Sequence, residues 1–241
     1  MVPRLDVLLT QNGLVESRER AQALIIAGKV KVSGETVRRP DRSVREEDVV
    51  TVDQADQWAS RGALKLAPAL DRFGVDPTGR VCADIGASTG GFTDVLLRRG
   101  AARVYAVDVG RGLMHWRVRQ DPRVVLMERT NARTIESFPE PVTLVVIDVS
   151  FISVEKVLPA VRAAAATAEV VALFKPQFEV GRADVGKGGI VRDEAVVARA
   201  LAAFRAWAPQ NGYEVVGEAP SEVAGAEGNR EIFLHLRPVP R

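Results

Sequence analysis

Val81-Cys82-Ala83-Asp84-Ile85-Gly86-Ala87-Ser88-Thr89-Gly90-Gly91-Phe92-Thr93 decides the fold of this chain. A short apolar run ends in Asp84, glycines follow at 86, 90 and 91, and Thr93 lies at the opening of a helix expected over 92–99. The order strand, tight turn, helix start needs glycine, because a β-carbon would block both positive φ angles and close approach of a ligand to the backbone. The unpaired N–H groups of the first helical turn then face whatever occupies the turn.

A dinucleotide turn reads G-x-G-x-x-G, and counted from Gly86 this chain has Ser88 in place of the second glycine. A phosphate loop is excluded as well, since no Lys-Ser or Lys-Thr follows the glycines. What remains is D-x-G-x-x-x-G-G, with a second acid, Asp108, ending the next apolar run Val104–Val107. Two carboxylates ending adjacent parallel strands suit a cationic, ribose-bearing cofactor better than a pyrophosphate, and S-adenosylmethionine has both properties. A strand-to-helix turn without a ligand is the alternative.

Working outward from residue 81, strand and helix patterns alternate. Strands are expected near 81–85, 103–107, 124–127, 142–147, 170–174, 213–218 and 231–236, and helices near 92–99, 154–166 and 193–207. Alternation of this kind argues for an α/β fold with a doubly wound parallel sheet. Ligands of such sheets bind beyond the carboxyl ends of the strands, where Asp84, Asp108, Asp148 and Lys175 fall. Residues 180–191, which include Gly-Arg-Ala-Asp-Val-Gly-Lys-Gly-Gly-Ile, are glycine-rich, basic and too irregular for an element. This is a surface loop that could also close over substrate, with Arg182 and Lys187 as phosphate contacts.

Upstream, Ala63 to Phe73 reads as a helix with Leu64, Ala67 and Leu70 on one face, ending at Gly74. Residues 53–62 read as a polar linker containing Trp58, which would pin it to one of two domains, 1–52 and 63–241. The first segment has its own pattern. Leu5, Leu8 and Leu9 have helical spacing, Gly13 stops that helix, and Ser17 caps a second one carrying Ala21, Leu24 and Ile25. Val30 to Glu35 reads as strand and turn, and Val44 to Val52 as a second alternating strand.

Composition narrows the function. Of 241 residues 46% are hydrophobic and 27% charged, and no run of eighteen apolar residues could span a bilayer, so a cytoplasmic protein is expected. The single Cys82 excludes an internal disulfide, and His115 and His235 lack ligand-like spacing, so no structural metal is expected. A net charge of +2 hides an asymmetry: residues 1–45 hold nine Arg or Lys against five acids, whereas 46–56 hold five acids and no base. The amino-terminal segment is therefore a local basic patch, compatible either with a solvated surface or with nucleic acid.

The pattern R-L-D-x-x-L followed by S-R-x-x-A-x-x-L-I-x-x-G-x-V-x-V-x-G over residues 4–52 closely resembles the RNA-binding domain named after ribosomal small-subunit protein four. Ser33 stands where that family usually has Asn. The resemblance implies a small α+β RNA-binding domain whose Arg4, Arg18, Arg20, Lys29 and Lys31 face RNA phosphates.

Several charges occupy places where apolar residues would cost less: Lys65 beside an apolar helix face, Asp148 and Lys175 at the ends of buried strands, and Glu231 before Ile-Phe-Leu. Mutual pairing is the economical explanation, and a purely structural ion-pair network is the alternative. The ordered motifs Ser-Arg-Gly-Ala-Leu-Lys-Leu, Asp-Ile-Gly-Ala-Ser-Thr-Gly-Gly-Phe-Thr, Asp-Val-Ser-Phe-Ile-Ser, Phe-Lys-Pro-Gln-Phe-Glu and Gly-Asn-Arg-Glu resemble those of the FtsJ-like ribose 2′-O-methyltransferases. With the amino-terminal domain, the whole chain resembles the TlyA family, historically called hemolysin A. The linker departs from the Arg-aromatic-Trp-Val sequence of one branch, having Gln57-Trp58-Ala59-Ser60.

The resemblance implies a Rossmann-like, S-adenosylmethionine-dependent methyltransferase acting on ribosomal RNA at a cytidine 2′-hydroxyl. It places a catalytic tetrad at Lys65, Asp148, Lys175 and Glu231. Cofactor contacts fall on Asp84, Gly86, Ser88, Thr89, Gly90, Gly91, Phe92 and Asp108, with Asn131 near the adenine. Two other classes stand beside it. A membrane-lytic protein rests only on the family's older name, and a non-catalytic RNA-binding or ribosome-assembly protein is what the first domain alone would permit.

Overall fold

The computed structural model describes residues 3–12, 14–15, 17–45, 47–52, 58–225 and 228–240. The chain divides into two compact units, residues 1–57 and 58–241. Gly13 and residues 53–57 of the expected linker lie outside the described residues.

In the first unit α1 (Leu5–Gln11) packs against α2 (Arg18–Ile26), beside a sheet of β1 (Val30–Val32), β2 (Glu35–Val37) and β3 (Val50–Val52) in the order β2-β1-β3. Ser17 caps α2 as expected, its side chain accepting the Arg20 N–H at 3.2 Å. Leu5, Leu9, Ala21, Leu24, Ile25, Val30, Val32, Val37 and Val44 form the core. The long strand expected over 44–52 is corrected to β3 alone: Asp48 accepts the Arg45 N–H and the Ser33 hydroxyl, which makes the preceding segment a turn. β2 was not expected, being only three residues long with two of them exposed.

The second unit opens with α3 (Ala63–Phe73), ended by Gly74 in the left-handed conformation at φ +65°. Its buried residues are Ala63, Leu66, Ala69 and Leu70. The expected face is therefore rotated: Leu64 is 47% exposed, and Lys65 comes to the site edge described below.

β4 (Val81–Ile85), α4 (Gly91–Arg98), β5 (Arg103–Val107), the single turn α5 (Trp116–Arg119), β6 (Val124–Met127), β7 (Leu144–Ile147), α6 (Leu158–Ala164), β8 (Glu169–Phe174), the turn α7 (Pro176–Glu179), α8 (Glu194–Gln210), β9 (Tyr213–Pro220) and β10 (Ile232–Pro238) follow. The strands form one sheet in the order β6-β5-β4-β7-β8-β10-β9. Apolar clusters cover both of its faces, so its central strands are nearly continuous runs of Val, Ile, Leu and Ala. The order reverses at β4, between β5 and β7, and a crevice opens there.

The doubly wound sheet is parallel as expected except at one side. β6, β5, β4, β7 and β8 are parallel, but β10 runs antiparallel to both β8 and β9. Ile232 sits opposite Phe174 in that pairing. The next residues outward, Glu231 and Lys175, consequently share one end of the sheet. Had β10 run parallel, Glu231 would lie at the opposite end.

Candidate functional site

The turn after β4 is built as its glycines require. Gly86 has φ +86°, and a β-carbon there would stand 2.5 Å from the Asp148 carbonyl oxygen, so the ends of β4 and β7 approach closely only because this residue is glycine. Gly91, the first residue of α4, lies against Ser60 and the Ala63 N–H, which leaves no space for a side chain. Gly90, at φ +88°, is its N-cap. Ser88 adopts φ +46° and donates its N–H to Asp108 Oδ2 at 2.8 Å. Asp108 Oδ1 accepts the Gly110 N–H at 2.7 Å, so both oxygens are held by the backbone.

Two cavities meet at this turn. The larger, about 740 Å³, runs past Gly86, Ser88, Asp108, Asn131, Asp148 and Phe151. The smaller, about 260 Å³, is lined by Lys65, Ser88, Thr89, Gly91, Phe92 and Asp148, among others. Gly86, Ser88 and Asp148 border both. The four charges singled out in the sequence form two ion pairs around this junction. Lys175 Nζ lies 2.6 Å from Asp148 Oδ1, and Lys65 Nζ lies 2.6 Å from Glu231 Oε2. Lys175 also donates to Ser150 Oγ at 3.0 Å.

These pairs are largely withdrawn from water: the side chains of Lys65, Glu231 and Lys175 are 13%, 2% and 9% exposed, and Asp148, at 22%, is the most open. Charges buried this far persist only when paired, which explains their arrangement in twos. Glu231 is held in turn by Gly225, where any β-carbon would strike its carboxylate, and by the Ser221 N–H, which donates to its carbonyl at 2.9 Å.

Asp84 lines neither cavity. It is fully buried beneath the turn, where Thr93 donates its hydroxyl to Oδ2 at 2.6 Å, and burial pushes its carboxyl up to about 7. Its Oδ1 has no partner among the described residues. Asn131 caps the 3-10 turn Ala132–Thr134, accepting the Arg133 N–H at 3.0 Å, and is exposed at the larger cavity.

Arg182 and Lys187 are exposed on the loop after α7 and line neither cavity. That loop is fastened by buried Asn229, which accepts the Val191 N–H at 3.0 Å and donates to the Gly189 carbonyl at 2.9 Å. Arg4, Arg18, Arg20, Lys29 and Lys31 are all exposed on the first unit, with Arg4 and Arg18 both bonded to Asp6.

Several residues here are not among those expected at the site. Ser150 and Phe151 fall inside the Asp-Val-Ser-Phe-Ile-Ser motif, which marks the segment and not these side chains. Phe151 is 92% exposed at φ +65°, an unusual conformation for a large side chain, and its ring lies 5.3 Å from that of Phe178. Asp94 accepts the Ala59 N–H at 2.8 Å as well as Arg98 and Arg117, and Arg98 lies over the Trp58 ring, so Trp58 and Ala59 are part of the second unit. Among the described residues no cluster of His, Cys, Asp and Glu could hold a metal, and no helix is long and apolar enough to cross a membrane.

The family model for FtsJ-like methyltransferases matches residues 58–238, and that for the S4 domain matches residues 3–50. The 16S/23S rRNA (cytidine-2′-O)-methyltransferase TlyA of Mycobacterium tuberculosis is 49% identical over 239 residues, 97% of this chain and 89% of its own length. The chain belongs to the TlyA family of FtsJ-like methyltransferases. Another relative, Hemolysin A of Brachyspira hyodysenteriae, is 40% identical over 97% of this chain and 99% of its own. A solved structure from Streptococcus thermophilus, described as a hemolysin, matches with a TM-score of 0.74 at 40% identity, covering 99% of this chain and 89% of that one.

For a TlyA-family chain the cofactor is S-adenosylmethionine, and the site fits it. The Gly86–Ser88 turn borders both cavities, the Asp108 carboxylate lines the larger one with each oxygen accepting a backbone N–H, and that cavity is large enough for a nucleoside with an amino-acid tail.

Proposed function

We propose that this chain methylates the 2′-hydroxyl of a cytidine in ribosomal RNA. The observation that carries the reading is Asp148, which borders both cavities while paired with Lys175, across from the Lys65–Glu231 pair. A methyl donor with its nucleoside in the larger cavity and its tail reaching into the smaller would carry its methyl group past this side chain.

When bound, S-adenosylmethionine would supply an electrophilic methyl group, its carbon–sulfur bond breaking to leave a neutral thioether. The protein's residues do the rest. Asp108 receives the ribose hydroxyls of the cofactor, Gly86, Ser88, Thr89 and the start of α4 (Gly91, Phe92) cradle its tail, and Asn131 borders the adenine. Asp84 and Gly90 act from beneath, by shaping the turn. Lys175 holds the 2′-oxygen of the substrate in line for attack, and the Lys175–Asp148 pair takes up the hydroxyl proton as the oxygen–carbon bond forms. Lys65, oriented by Glu231, steadies negative charge on the oxygen while the proton departs. Arg4, Arg18, Arg20, Lys29 and Lys31 bind RNA phosphates, and Arg182 and Lys187 add contacts from the loop that follows α7.

The test is transfer of labelled methyl from S-adenosylmethionine to isolated ribosomal subunits and to naked ribosomal RNA, with the labelled position mapped. Label on a cytidine 2′-oxygen is expected. Lys175→Ala should lower turnover by about a hundredfold or more with cofactor binding by calorimetry intact. Label on a base, or unchanged turnover in the variant, would overturn the assignment.

A further inference from the structure

We infer that Asp6 is a positioning residue for RNA binding, a buried carboxylate that holds Arg4 and Arg18 in the orientation in which they meet phosphate. The inference rests on the reading of the first unit as the RNA-binding part of the enzyme and extends it to a residue of the opposite charge.

Asp6 is 0% exposed, although it stands in the first turn of α1 in a segment rich in bases. Its carboxylate gathers three side chains. Arg4 donates Nε to Oδ1 at 3.1 Å and Nη2 to Oδ2 at 3.2 Å. Arg18, from the start of α2, donates Nε to Oδ2 at 3.0 Å, and Gln22, one turn along, donates Nε2 to the same oxygen at 2.8 Å. Despite its burial, these bonds hold the carboxyl well below the usual carboxylate range.

Joining two short helices does not require this. A buried carboxylate is expensive to desolvate, and an apolar contact of the kind Leu5, Leu9 and Leu24 already make would join α1 to α2 at lower cost. What the carboxylate adds is direction. A guanidinium has five N–H donors, of which Arg4 turns two to Asp6 and Arg18 one, and the two arginine side chains remain 47% and 53% exposed. Each is gripped through part of its guanidinium while about half of its side chain stays open to solvent. A gripped arginine loses less rotamer freedom when a phosphate arrives, and its planar fork can serve carboxylate and phosphate together, which a lysine cannot do. Gln22 completes the grip from the uncharged side.

Charge counting and geometry predict opposite outcomes here. Asp6→Asn removes a negative charge from a surface that binds a polyanion, so electrostatics alone predicts tighter binding. The grip predicts weaker binding, by about fivefold or more. Affinity of the full chain for purified ribosomal subunits is measured at one salt concentration, well below each variant's melting temperature, for wild type, Asp6→Asn, Arg4→Ala/Arg18→Ala, and all three changes together. Glu35→Gln, an exposed acid of the same unit, serves as the charge control.

The expected pattern is weaker binding for Asp6→Asn, equal or tighter binding for Glu35→Gln, and no further loss when Asp6→Asn is added to the double arginine variant. A second variant, Arg4→Lys/Arg18→Lys, keeps both charges and leaves the core untouched, and it should weaken binding about as much as Asp6→Asn. Binding unchanged or tightened by Asp6→Asn, a full additional loss on the arginine-free background, or wild-type affinity in the double lysine variant would each overturn the inference. If the double alanine variant binds as wild type does, the reading of the first unit's basic face fails first, and the inference with it.

Discussion

At Gly86 a single hydrogen atom separates a working turn from a blocked one. The residue has φ +86°, and the atom a β-carbon would meet is the backbone carbonyl oxygen of Asp148, which cannot swing aside as a side chain would. Gly86→Ala should therefore cost about 1–2 kcal/mol of stability from the backbone conformation alone. It should also lower S-adenosylmethionine affinity by about tenfold or more, because relieving the clash moves β7 and Asp148 away from β4. Calorimetric titration of the variant checks this, and near-wild-type cofactor affinity would show that the close approach is not needed. At this scale much of the site was legible. Lys65, Asp148, Lys175 and Glu231 stood out as charges in apolar surroundings, and the structure pairs all four. Asp84 was legible as an acid at a strand end but not as one buried under the turn, because β-strand alternation says which face a side chain takes and not what lies above it. Ser150 and Phe151 lie inside the Asp-Val-Ser-Phe-Ile-Ser motif, but nothing singled them out within it, since an exposed phenylalanine at positive φ has no periodicity to reveal it.

Among elements, β10 carries the largest departure from expectation. Its apolar run was legible and its direction was not, because strand direction depends on which neighbour it pairs with, and that is decided by contacts far apart in the chain. The reversal has a chemical consequence, bringing Glu231 to the Lys175 end of the sheet. It also has a consequence at the other end. There His235 Nε2 lies 2.7 Å from Glu169 Oε1, and Arg80 donates to Glu169 Oε2 at 2.8 Å, so β8, β10 and the segment before β4 are joined by one carboxylate. The His235 bond first, and then Arg80, hold the Glu169 carboxyl at about 2, below its ordinary 4.5. A carboxylate depressed on folding contributes stability above its unfolded value and loses it as pH falls toward the folded one. That contribution is at most about 3 kcal/mol, and the pair's partial exposure reduces it. Glu169→Gln should lower the urea midpoint at pH 7, and the gap from wild type should narrow between pH 4.5 and about 2. A gap that stays constant over that range would remove the ion pair from the explanation.

For the whole molecule, the proposed function assigns chemistry and capture to different units. Every residue bordering the two cavities lies in 58–241, whereas the basic segment, with nine Arg or Lys against five acids, lies in 1–45. The net charge of +2 would not by itself draw the chain to a polyanion, so attraction has to come from the local patch. Charges far from the reacting oxygen bind substrate and transition state alike, and interactions of that kind appear in KM and not in kcat. Reversing two of them, Lys29→Glu/Lys31→Glu, should therefore raise KM for ribosomal subunits by about tenfold or more and flatten its dependence on salt, while kcat and cofactor affinity stay within about twofold. Both lysines are exposed, so the fold of the first unit should survive the change. Steady-state methyl transfer at two salt concentrations measures all of this together. A fall in kcat at unchanged KM would mean that the first unit reaches into the chemical step and does not only hold the substrate. The division of labour would then have to be abandoned even if every residue assigned to the tetrad kept its role.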